Sequence, residues 1–110
     1  QQLIHQNVRL IALDEDEISV DGLLEQLYSE QIMSLLVEGG SSLYNAFISA
    51  QRVNEFALFY GPRLIGDKDA PSLWDHSNVT NLSEAPIVSI QSTEQLGNSI
   101  YVRATFKGVE

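Results

Sequence analysis

The chain has 110 residues, 44% of them hydrophobic and 19% charged, the make-up of one small globular domain and not of two. Fifteen acidic against six basic residues leave a net charge of −9, so no basic stripe serves nucleic acid, and an anionic ligand must be held by local backbone dipoles and a few basic side chains. No cysteine is present, which excludes disulfides and thiolate metal sites; no apolar run reaches membrane length and no leader pattern opens the chain, so a reducing, cytoplasmic location without a membrane partner is expected.

The opening Gln1-Gln2-Leu3-Ile4-His5-Gln6-Asn7 lacks Met and reads as the tail of a helix or loop, so an excised piece is expected. Val8 to Leu13 is short and mostly apolar, the pattern of a buried strand. The acidic run Asp14-Glu15-Asp16-Glu17 follows as a solvated loop. Ser19 stands where an N-cap belongs, with Asp21 in the first turn, where the helix dipole favours negative charge. Val20, Leu23, Leu24, Leu27 and Tyr28 then recur along one helical face, despite Gly22 among them.

Ile32 to Val37 is continuously apolar and predicts a second buried strand. A second helix is expected from Ser41 to Ala50, packing through Leu43, Ala46, Phe47 and Ala50. Strand, helix, strand, helix in this order implies parallel strands with a right-handed crossover. Val53 to Tyr60 predicts a third strand, stopped by Gly61-Pro62.

From Pro62 to Pro86 no period holds, and a loop of that length is either functional or packed by its own side chains. Leu64, Ile65, Leu73 and Trp74 are expected to tack it to the core. Ile87 to Glu94 and Ser99 to Phe106 predict two strands joined by a hairpin turn at Gly97-Asn98. Ile100, Val102, Ala104 and Phe106 alternate with Tyr101, Arg103 and Thr105, so one face should be buried. The fold class is α/β, a mixed sheet that ends antiparallel.

The best site candidate lies within Met33 to Phe47, M-S-L-L-V-E-G-G-S-S-L-Y-N-A-F. An apolar run ends in a carboxylate, two glycines and two serines before a helix begins. Unpaired N–H groups and the positive end of the dipole make such a place suited to phosphate. Gly39 and Gly40 allow close approach to the main chain and positive φ at little cost. Ser41 and Ser42 can cap the helix or donate to a phosphate oxygen. Glu38 can accept hydrogen bonds from a sugar hydroxyl or ring N–H, or pair with the helix dipole beside it. An ordinary tight strand-to-helix turn is the plainer reading of the glycine pair.

Other chemistry finds less support. The glycines form neither G-x-G-x-x-G nor a Gly-Lys-Ser/Thr phosphate loop. Arg63 is the best-placed base for an anionic group, or else an exposed loop arginine, and Lys68 reads as solvated. His5 and His76 have no partner at metal-ligand spacing, so no metal is expected, and zinc deaminase motifs are missing. No G-x-S-x-G elbow surrounds Ser41 or Ser42. No residue can be nominated as general acid.

Leu35-Leu36-Val37-Glu38-Gly39-Gly40, Leu43 and Phe47, Val53-Asn54-Glu55-Phe56, Tyr60-Gly61-Pro62-Arg63-Leu64-Ile65-Gly66 and Asp69-Ala70-Pro71-Ser72-Leu73 occur in an order that resembles one family. It is the reductase domain of riboflavin biosynthesis, the C-terminal half of the bifunctional deaminase-reductases. Departures from its usual pattern are small: Gly61 for alanine, Arg63 for lysine, Ile65 for leucine, and Ser41-Ser42 for a Pro/Gly-Thr pair. The resemblance implies a dihydrofolate-reductase-like fold, NADPH as hydride donor and a phosphorylated ribosylaminopyrimidine as substrate, its ribose reduced to a ribityl chain.

Carried over, Glu38 contacts substrate. Gly39, Gly40, Ser41, Ser42, Leu43, Tyr44, Asn45 and Ala46 form the turn and first helical turn under the NADPH phosphates. Residues 1–110 are then a single domain, the C-terminal portion of such a reductase domain. It is expected to self-associate as a homodimer or otherwise, to bind cofactor weakly and to turn over little alone. A reductase of another heterocycle and a non-catalytic α/β assembly module are the alternatives; Glu38 before the glycines favours the riboflavin family over folate reductases.

Overall fold

A computed structural model describes residues 7–14, 16–75 and 78–107. The readings placed on Gln1 to Gln6, on Glu15 and on His76 lie outside the described residues. The chain divides into two compact units between Leu36 and Val37.

The first unit is built on helix α1, Val20–Ser29. Ser19 caps it as expected: in an extended conformation, φ −80° and ψ 152°, its Oγ accepts the Gly22 N–H at 3.0 Å. That satisfies one of the donors a helix start leaves open, a contribution of about 1 kcal/mol. At the other end the Ile32 N–H donates to Leu27 O at 3.0 Å and the Gln31 N–H to Tyr28 O at 2.9 Å. This is a Schellman termination, and it places Gln31 at φ 66°, where glycine is the usual residue. Arg9 pairs with Glu30.

Neither segment expected as a parallel strand, 8–13 or 32–37, is a strand in the structure. A strand exists only through its ladder, and no described residue pairs with either segment. Met33 and Leu36 are accordingly exposed, at 79% and 78%.

The second unit holds helix α2, Ser41–Ser49, and strands β1, Phe56–Tyr60, β2, Val88–Leu96, and β3, Ser99–Phe106. Gln51 repeats the termination seen after α1. Its φ is 56°, its N–H donates to Ile48 O at 3.0 Å, and the Arg52 N–H donates to Phe47 O at 3.1 Å. Phe47 is the buried residue of α2, as expected, but Ala46 is exposed and Leu43 is 40% exposed. The inward stripe is Tyr44, Phe47 and Ile48, at i, i+3 and i+4, because the larger side chains take the sheltered positions.

The sheet order is β1-β3-β2, antiparallel throughout. Tyr60 pairs with Ile100 and Phe56 with Ala104 on one side of β3; Leu96 pairs with Ser99 and Val88 with Phe106 on the other. In the hairpin, Gly97 has φ 60° and Asn98 is not in the positive region, the pattern of a II′ turn, whose twist suits the strands. The register shifts between Ile90 and Ser92, and the intervening Gln91 reaches across this bulge to Ser89 and Thr105 Oγ1, at 3.2 Å each.

Alternation puts Phe56, Leu58 and Tyr60 on the face that carries Ile100, Val102, Ala104 and Phe106. Ala104 is 1% exposed, whereas Ile100, nearer the turn, is 49% exposed. Trp74 meets Phe56 edge-on at 5.6 Å, and Phe56 meets Phe106 at 6.5 Å. Trp74 therefore anchors the long loop, as expected. Leu64 and Ile65 do not: they are 103% and 76% exposed. On the opposite face Phe59 stacks on Tyr101 at 4.7 Å, next to an Arg103–Glu55 ion pair of 3.2 Å.

Candidate functional site

The residues proposed from sequence for the site, 38–46, all lie in the second unit and are contiguous around the start of α2. Gly40 is the N-cap, with φ 97° and ψ 179°, a region essentially closed to residues with a Cβ. Nothing lies within 4 Å of where its Cβ would be, so glycine is required there by backbone conformation and leaves open space. Gly39 is favoured for the opposite reason, since a Cβ on it would overlap Leu43 Cδ2 and stand 3.2 Å from Leu43 Cβ and Cγ, so Leu43 would have to move.

With glycine as cap, no side chain caps the helix. Ser41 and Ser42, two candidate caps, are instead the first helical residues. The Tyr44 N–H donates to Gly40 O at 3.0 Å and begins the helical ladder. The amides of Ser41, Ser42 and Leu43 precede that first bond, and they are the donors a helix start leaves for water or a ligand. Tyr44, Asn45 and Ala46 stand behind them, with N–H groups committed to the helix, and can act through side chains or the dipole. No acidic residue occupies the first turn to oppose an anion.

Glu38 is exposed, two residues before the cap, and among the described residues its carboxylate has no hydrogen-bond or ion-pair partner. The strand expected to deliver it is not formed, so its position rests on the turn alone. Arg63 is exposed in the irregular segment after β1, and no bond among the described residues ties it to the turn. Leu43 is expected from the sequence both on the packing face of α2 and in the turn under the cofactor phosphates; the structure adds its contact with Gly39. Its fit over Gly39 follows from the i, i+4 spacing, which stacks side chains on one helical face above the residue before the cap.

The two helices and the closing antiparallel hairpin fit part of a dihydrofolate-reductase-like fold. The likeness to solved Acinetobacter baumannii RibD supports this: TM-score 0.76 at 21% identity, over 84% of this chain and 26% of that one. The RibD C-terminal domain family matches residues 1–102, and the chain belongs to it. The riboflavin biosynthesis protein RibD of Haemophilus influenzae is 37% identical over 87 residues, 79% of this chain and 23% of that protein. The 2,5-diamino-6-ribosylamino-4(3H)-pyrimidinone 5′-phosphate reductase of Archaeoglobus fulgidus is 32% identical over 92 residues, 84% of this chain and 40% of that protein. The chain thus spans about a quarter to two fifths of these relatives' length. Among the described residues no helix is long and apolar enough to cross a membrane.

Proposed function

We propose that this chain is the cofactor-holding part of an NADPH-dependent reductase in riboflavin biosynthesis. Its substrate is 5-amino-6-(5-phosphoribosylamino)uracil, and its product carries a ribityl chain. The observation that carries the reading is Gly40 at φ 97° and ψ 179°, opening a helix that no side chain caps. The amides of Ser41, Ser42 and Leu43 and the two serine hydroxyls are suited to accept a phosphate, and the space beside Gly40 leaves room for one. Bound NADPH supplies the hydride. The protein's part is to hold the two reactants in register.

Glu38 is assigned to the substrate, accepting hydrogen bonds from its hydroxyls or ring N–H. With a net charge of −9, the chain does not draw an anion by its overall field, so affinity rests on the turn. Residues 1–110 are proposed as part of one reductase domain, cytoplasmic and self-associating. Exposed Met33, Leu36 and Leu82 support association, and a clean monomer in light scattering at high concentration would count against it.

The test is a fluorescence titration of NADPH against the chain and against Gly40→Asp. The added carboxylate repels phosphate, and its Cβ disturbs the turn, so affinity should fall at least about tenfold, or 1.4 kcal/mol. Equal affinities would remove the turn from the reading. The name of the archaeal relative makes the 2,5-diamino pyrimidinone phosphate the comparison substrate for the full-length reductase.

A further inference from the structure

We draw no further inference here: the strongest candidate, the exposed sheet face that carries the stacked Phe59–Tyr101 pair beside Arg103, carries nothing because no described residue or bound group shows what covers it.

Discussion

Leu43 occupies the space that a side chain on Gly39 would need: a Cβ there would overlap Leu43 Cδ2. The group in the way is the tip of a flexible side chain, so Gly39→Ala should be accommodated by turning Leu43 at a cost of about 1–3 kcal/mol. Leu43→Ala removes the overlapping Cδ2 and the Cγ and leaves only Leu43 Cβ at 3.2 Å. In a urea-denaturation cycle the double variant should therefore recover much of the loss, with a coupling of about 0.5–3 kcal/mol. Additive losses would mean that the two residues do not share this space.

Gln31 and Gln51 hold the left-handed position that ends each helix. A side chain there costs about 1–2 kcal/mol, whereas glycine gives back about 0.4–1 kcal/mol through the freer unfolded chain. Gln31→Gly and Gln51→Gly should each raise stability by about 0.5–1 kcal/mol, read as a higher urea midpoint at unchanged slope. A lower midpoint for both would contradict the terminations described.

Phe56 touches both Trp74 and Phe106 by ring edges, contacts of about 0.5–1.5 kcal/mol each. Phe56→Leu should cost about 1–3 kcal/mol. Because Trp74 is the sole tryptophan, its emission should also shift to the red as the loop loosens. An unchanged spectrum would show that Phe56 does not hold the loop.

Glu84 accepts hydrogen bonds from the Asn81 side chain at 3.4 Å and from the Thr80 N–H and hydroxyl at 3.5 and 3.3 Å. These bonds, Asn81's foremost, hold its carboxyl below the usual 4.5. A folded value below the unfolded one means stabilisation is full above 4.5 and is lost as pH falls through the lowered value. The Thr80 and Asn81 amide resonances should titrate with a midpoint below 4.5 and stay flat in Glu84→Gln. A midpoint at or above that value would refute the arrangement.

What could be read from the sequence was local. Ser19, Asp21 and the leucines of α1 sit within three turns of one another, and Gly97-Asn98 needs only its flanking residues, so both elements were legible. Strand β1 begins later than expected, at Phe56 and not Val53, because its ladder with β3 starts at the Phe56–Ala104 pair and the three residues before it have no strand partner among the described residues. The segments 8–13 and 32–37 have strand composition, but pairing is a relation between segments that composition does not contain. Of the site, the glycine turn was legible because its two demands fall on the one residue type without a Cβ. Gln31 and Gln51 gave no such signal, since glutamine does not mark positive φ.

β3 is last of the strands in the chain and central in the sheet. On a ribosome β1 emerges first and must wait for the partner of Tyr60, which arrives 40 positions later at Ile100. At about 5–20 residues per second that interval is roughly 2–8 s. Throughout it Phe56, Leu58 and Phe59 lack their β3 partners, and the nascent chain is open to capture by chaperones or by its neighbours. The hairpin of β2 and β3 closes quickly once made; β1 is the strand that translation leaves waiting.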